Sequence, residues 1–438
     1  MVSRRQLLAS LSGSAGMMLA GCSLPAKEAS ASFTHPQTLR IDEPFDLTVD
    51  GVPSNTELEV VLEGALASGE TFRAGVTVES ETDSLALNDA RIIDGDLPAG
   101  LDVPTAVALI QVADISWEEY IETGAVPSDS EWPPDQTLTY RIETEERTIG
   151  EIRLSRWHPF TSVGEAGSEL VGHVFEPPSG QSGPGILVLH GAGGKPQWHV
   201  AAMLAQHGFT AFALQYVSGP GLPDSPVEVP FEYVTSAVDW LRDHERVTGE
   251  RIGMWGIGRG GELGLLVGSR HDAVGPVVSI NGSGLIWEGG VVGGTPSGTP
   301  AWGLADDARS SLSVAEAGQG TGRLERYTDA IAAAGALELE TATIPVEEIN
   351  GPVLLVTGDD DRVWPSARLH EIARERLDAR NHPSFEHVRY AAAGRHIPQP
   401  YLPVRRPAGS TSGGTLAGNA EAAHAHWPRV LGTFSELR

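Results

Sequence analysis

The stretch GMWGIGRGGELGLLVGS, residues 253–269, decides the fold. An apolar run ends at Ile257, glycines stand at 256, 258, 260 and 261, and a helical segment runs from Gly261 to Ser269. In a strand, G-x-?-x-G, helix arrangement the outer glycines, here Gly256 and Gly260, permit a sharp turn, and the middle residue is lifted above the sheet edge. Acyl-transfer chemistry needs a hydroxyl or thiol there. The middle residue is Gly258, which has no side chain.

Working outward, the runs GILVLH (185–190), FTAFALQY (209–216), RIGMWGI (251–257), PVVSIN (276–281), PVLLVTG (352–358) and FEHVRYA (385–391) have strand length and continuous apolar character. Such runs suit a sheet covered on both faces. Helical segments at 198–207, 231–243 and 261–269 alternate with them. The pattern predicts a doubly wound, mostly parallel α/β sheet with its functional loops at the carboxyl ends of the strands. The excursion 282–350 predicts a lid-like insertion, with the glycine-rich GGVVGGTPSGTPAWG (289–303) followed by a charged helical piece around 311–339. Upstream, PFDLTVDGV, TELEVVLEGAL, ETFRAGVTVES, TAVALIQVAD and TLTYRIETEE alternate apolar and polar residues between turns. They predict a β-sandwich over residues 38–157, ahead of an α/β domain at 158–438, with VGHVFEPPSGQSGP (171–184) as a linker.

The loops after the strands hold the remaining chemistry. HGAGG offers backbone N–H groups at Gly191, Ala192, Gly193 and Gly194, which together with the N–H of Arg259 would line an oxyanion site; a plain glycine turn is the alternative. GDDDRVWPS (358–366) supplies Asp361 as a candidate acid, and AAGRHIPQPYLP (392–403) supplies His396 as a candidate base. Elbow, acid, histidine is the chain order of a nucleophilic triad. An acidic turn on an acidic protein and a surface histidine are the plain alternatives. Ser279, Ser283 and Ser366 lie near strand ends but not at the elbow, and water activated by His396 and Asp361 is a further route. No H-E-x-x-H spacing occurs, and Asp359 to Asp361 form only one acidic turn, so neither a metal nor a cofactor is expected.

Composition bounds the partners. Acidic residues outnumber basic ones by 58 to 30, the net charge is -28, and Lys27 and Lys195 are the only lysines. Nucleic acid is excluded as a natural partner. One reading is life in molar salt, where a Debye length of roughly 3 Å screens self-repulsion; an ordinary acidic secreted protein is the alternative. At the N-terminus, SRRQLL places Arg4 and Arg5 before an apolar stretch that ends in LAGC at Cys22. It resembles a twin-arginine export signal over residues 1–21 with lipid attached at Cys22, and residues 22–37 then read as a tether. The expectation is an exported protein, lipid-anchored on the outer face of the cytoplasmic membrane. Cys22 is the only cysteine, so the mature chain has no disulfide and no thiolate nucleophile.

The motifs VLHGAGG, MLAQHGFTAFALQY, VEVPFEYVTSAVDWLRDH, IGMWGIGRGGELGLLVGS, VVSINGS, IPVEEINGPVLLVTGDDDRVWPS, PYLP and AHAHW resemble the family of acyl-CoA thioester hydrolases and bile acid-CoA:amino acid N-acyltransferases. IDEPFDLTVDGVPSNTELEVVLEG resembles that family's N-terminal domain more weakly. The resemblance implies an α/β-hydrolase domain preceded by an immunoglobulin-like β-sandwich, and a Ser or Cys nucleophile acting on acyl thioesters. Carried over by position, the nucleophile falls on Gly258 and the acid on Asp361, while an ungapped alignment places the histidine on Arg395, with His396 one residue late. Glu262 matches a glutamate expected to orient the elbow, and His424 and His426 are expected to pack at the C-terminal helix. Three readings stay open: a degenerate relative that binds an acyl or other hydrophobic ligand at the cell surface, an active ester or thioester hydrolase with a substitute nucleophile or activated water, and a structural envelope protein whose protein partner the sequence does not name.

Overall fold

The computed structural model describes residues 31–36, 38–40, 42–65, 71–95, 136–157, 161–165, 169–290, 297–304, 311–314, 322–395, 397, 399–400 and 412–438. Arg4, Arg5, Cys22, His396 and the expected strand TAVALIQVAD lie outside the described residues.

The N-terminal part comprises β1 (Ser32–Thr34), β2 (Thr38–Arg40), β3 (Thr48–Asp50), β4 (Thr56–Ala65), β5 (Thr71–Ser80), β6 (Ser84–Ala86), β7 (Ile92–Gly95), β8 (Gln136–Glu143) and β9 (Thr148–Trp157). They form a three-stranded sheet β1-β3-β6 and a six-stranded sheet β2-β9-β8-β4-β5-β7. Period-two alternation explains the sandwich: Leu58, Val60 and Leu62 of β4 point inward with Val76, Val78, Tyr140 and Ile142, while Glu57 is exposed. β1 lies inside the stretch expected to be a tether and pairs Phe33 with Val49. Phe33 packs against the sandwich core, which draws this segment into the domain.

The second part contains β10 (Thr161–Glu165), β11 (Val171–Glu176), β12 (Gly183–Leu189), α1 (Trp198–Gln206), β13 (Thr210–Gln215), β14 (Val229–Pro230), α2 (Phe231–Arg242), β15 (Val247–Ile257), α3 (Arg259–Gly268), β16 (Val274–Ile280) and β17 (Trp302–Gly303). It continues with α4 (Arg323–Ala333), α5 (Ala336–Ala342), β18 (Val353–Gly358), α6 (Ser366–Ala379), β19 (Phe385–Tyr390) and α7 (Leu416–Phe434). Eight strands form one sheet in the order β10-β11-β13-β12-β15-β16-β18-β19. The β10/β11 and β11/β13 pairs are antiparallel, and from β13 to β19 every pair is parallel.

Two readings from the sequence are corrected here. The expected linker begins with a strand, β11, because Val174 and Phe175 find buried positions against β13. The expected charged helix is two helices, α4 and α5, and Ser311 to Val314 is not helical: Leu312 and Val314 pack with Trp287 and Tyr327 in a separate apolar cluster of the insertion.

One side of the sheet packs in a cluster with Leu263, Leu266 and Val238, and the other with Val200, Met203, Trp427 and Phe434. Register sets the site. Leu189 pairs with Gly256, Gly256 with Ser279, Ile280 with Val356, and Gly358 with Tyr390. The carboxyl ends of β12, β15, β16, β18 and β19 are therefore level, and the loops that follow them open on one edge. The sandwich meets this domain at Asp42, whose buried carboxylate accepts hydrogen bonds from Gln206, His207 and Trp427.

Candidate functional site

The turn after β15 is as sharp as its glycines permit. A Cβ at Gly256 would collide with the carbonyl of Gly260, and one at Gly260 with the carbonyl of His190. Gly258 itself has φ 58° and ψ -116°, a conformation that costs a residue with a side chain about 1–3 kcal/mol. Its N–H donates to Ile280 O at 2.9 Å, and its carbonyl accepts the N–H of Glu262 at 3.0 Å. The elbow is therefore fully formed around a missing side chain.

The space above it is filled from the β19 side. A Cβ at Gly258 would overlap Nη2 of Arg395. Nη1 of that guanidinium donates to Asn281 O at 3.2 Å and pairs with Asp361 Oδ2 at 3.3 Å, and the guanidinium carbon lies 5.1 Å from the centre of the Trp364 ring. Asp361 Oδ1 accepts the N–H groups of Val363 at 2.9 Å and Trp364 at 3.4 Å. Burial pushes the Asp361 carboxyl up from its ordinary value, and the Arg395 guanidinium opposes that rise. Gly258, Asp361 and Arg395 are thus brought together, with a cation directly over the elbow. A guanidinium has no acceptor and cannot take a proton from a nucleophile. His396 lies outside the described residues.

Gly191 to Gly194 form the loop after β12, and a Cβ at Gly193 would meet nothing within 4 Å. His190 anchors this loop from below. It is buried, stacked on Tyr216 with ring centres 3.9 Å apart, and its Nδ1 lies 2.6 Å from Gly191 O. Burial pushes its pKa down to about 4, so the imidazole is neutral and Nδ1–H is the donor.

Glu262 stands under the elbow. Its carboxylate accepts Arg259 Nη1 at 2.8 Å, Trp302 Nε1 at 2.8 Å and the Trp287 N–H at 3.1 Å, and Arg259 Nη2 donates to Glu288 O at 2.5 Å. Both charges are buried, so removing one leaves the other uncompensated. Glu262→Ala is expected to lower unfolding stability by about 3–5 kcal/mol. Denaturant titration against the unsubstituted chain measures it, and a loss below about 1 kcal/mol would put the pair outside that class of buried ion pairs.

The three serines near the strand ends are all buried and bonded within the protein. Ser279 Oγ lies 3.0 Å from His370 Nε2; Ser283 Oγ donates to Leu285 O at 2.8 Å; Ser366 Oγ lies 3.4 Å from Gly358 O. None stands at the turn. His426 is buried on α7 with Nδ1 2.7 Å from Ala422 O. Sequence reasoning missed Asn281, which ties three loops together. Its Nδ2 donates to Gly394 O and Arg395 O, its Oδ1 accepts the Gly358 N–H, and its own carbonyl accepts Trp364 Nε1 and Arg395 Nη1. The available signal was an asparagine closing an apolar strand; its φ of 44° suits a residue that tolerates the left-handed region. Among the described residues no group of three or more His, Cys, Asp or Glu is placed to hold a metal, and no helix is long and apolar enough to cross a membrane.

The parallel sheet with its glycine elbow, glycine-rich loop and acid turn defines an α/β hydrolase fold. More particularly, residues 229–437 match the family model described as BAAT / acyl-CoA thioester hydrolase C terminal. The chain is 32% identical to acyl-coenzyme A thioesterase 1 of Mus musculus over 231 residues, which are 53% of this chain and 52% of that protein. It is 31% identical to the mouse peroxisomal succinyl-coenzyme A thioesterase, covering 53% of each. The chain thus spans about half the length of the curated relatives it matches. A solved structure of a dienelactone hydrolase from Klebsiella pneumoniae is similar over 63% of this chain and 97% of that one, with a TM-score of 0.41 and 18% identity.

Proposed function

We propose that this protein is an acyl-CoA thioester hydrolase-like protein that has exchanged hydrolysis for binding, and that it holds an acyl group at the surface of a cell living in high salt. One observation carries the reading: the nucleophile position is Gly258, and the Arg395 guanidinium, paired with Asp361, takes the place above it. The oxyanion loop and the acid remain. With no side chain at Gly258 and a guanidinium paired to Asp361 beside it, this arrangement favours holding an acyl head group over cleaving it. The similarity of residues 229–437 to thioester hydrolases supports the acyl ligand class. The resemblance of SRRQLL and of LAGC at Cys22 to an export signal with a lipid-attachment site, together with the acidic composition, supports the location, where free acyl compounds would be more accessible than a coenzyme carrier.

Octanoyl probes carrying acid, methyl ester and thioester head groups test this by equilibrium dialysis in molar salt. At least one is expected to bind saturably, and every probe is expected to be recovered unchanged. Failure of all three to bind, or release of a head group faster than in buffer, would contradict the reading.

A further inference from the structure

We propose that the head group this elbow accepts is a carboxylate anion, so that the ligand is the free acid and not its ester or thioester. This rests on the acyl-binding reading above. A hydrolase surrounds its elbow with neutral donors that meet a charge existing only in the transition state. Here a permanent cation lies at the same place. Arg395 is held along one edge by Asp361 Oδ2 and Asn281 O, at 3.3 and 3.2 Å, and on one face by Trp364. Its Nη2 is the nitrogen directed at Gly258, and no hydrogen bond to it occurs among the described residues. Its side chain keeps 15% of its accessible surface, so the guanidinium is neither sealed in nor free to swing.

The surroundings add donors to that cation. The N–H of Arg259 opens the first turn of α3, where helical geometry leaves it without an intrahelical acceptor. The loop at Gly193 faces open space. An anion seated over Gly258 would lie beside Nη2 and next to the N–H of Arg259. Asp361 balances Arg395 and Glu262 balances Arg259, so the attraction is directional and does not come from excess positive charge. A carboxylate forms charge-assisted hydrogen bonds with the backbone N–H donors, roughly twice as strong as those an ester carbonyl forms with them, and adds a full charge opposite the guanidinium. The resting site therefore suits the ionised acid, the chemical class of a hydrolase's product.

Calorimetric titration of the full chain in molar salt with octanoate and with methyl octanoate tests the assignment. Octanoate is expected to bind about tenfold tighter or more. Arg395→Gln is expected to remove that preference, bringing the two affinities together, and Arg395→Lys, which keeps the charge but not the fork, to retain part of it. Equal affinities in the unsubstituted chain, or a preference that survives Arg395→Gln, would overturn the inference and leave acyl binding standing. Binding of neither compound overturns the inference together with the acyl-binding reading. The unsubstituted ratio decides the matter even where Arg395→Gln fails to fold.

Discussion

The double variant Gly258→Ser/Arg395→His is expected to hydrolyse p-nitrophenyl octanoate about 10²- to 10⁴-fold faster than the unsubstituted chain, the range a positioned general base contributes. The serine restores a nucleophile on an elbow whose backbone already has φ 58° and ψ -116°. The histidine replaces a guanidinium that pairs with Asp361 and overlaps the position a serine Cβ needs. Either change alone is expected to leave the site inert. Gly258→Ser keeps a cation in place of the base, and Arg395→His supplies a base with nothing to deprotonate. Triad members act as a unit, so the gain should be strongly non-additive. The serine also carries a backbone penalty of about 1–3 kcal/mol. Hydrolysis by Gly258→Ser equal to that of the double variant would show that Arg395 does not stand where the base belongs.

Acid is expected to unfold the protein between pH 6.5 and 4. His190, His199 and His426 are buried, and burial pushes each down to about 4 from an ordinary 6.5. Burial also holds His370 well below its usual range, between Ser279 Oγ at 3.0 Å and Thr357 Oγ1 at 2.7 Å. Because the folded-state values lie below those of the unfolded chain, the unfolded state binds more protons throughout this window. Stability is complete above pH 6.5 and falls as the pH drops toward 4. Each of the three histidines near 4 then costs about 3 kcal/mol at the acid end, against a total stability of about 5–15 kcal/mol for a typical domain. Tryptophan fluorescence followed from pH 8 to 3 in molar salt checks this, and His426→Gln should move the transition to lower pH if the substituted chain folds. A native signal persisting below pH 4 would contradict the expectation.

The sheet was legible because its central strands are covered on both faces and so are apolar without interruption, as in Ile186 to Leu189 and Val353 to Val356. β11 was not, since its run is broken by Gly172 and His173 and it pairs antiparallel at the flank of the parallel strands. α6 went unread although Leu369, Ala373 and Leu377 recur every four residues, because arginines and glutamates fill its other faces. At the site, the missing hydroxyl at Gly258 and the arginine at 395 could both be read from their positions. That the two meet could not. Their contact depends on the level ends of β15 and β19, strands separated by two others in the sheet and by more than a hundred residues of chain. Asn281 escaped for the same reason: its partners come from loops that converge only after the sheet has formed.

The most direct measurement is the release of thiol from an octanoyl thioester by the unsubstituted protein in molar salt, followed beside an Asp361→Asn control. An elbow without a nucleophile and an acid paired to a guanidinium predict that both progress curves match buffer alone. Release above buffer that Asp361→Asn abolishes would show that the chain is a working hydrolase and that binding without cleavage is wrong.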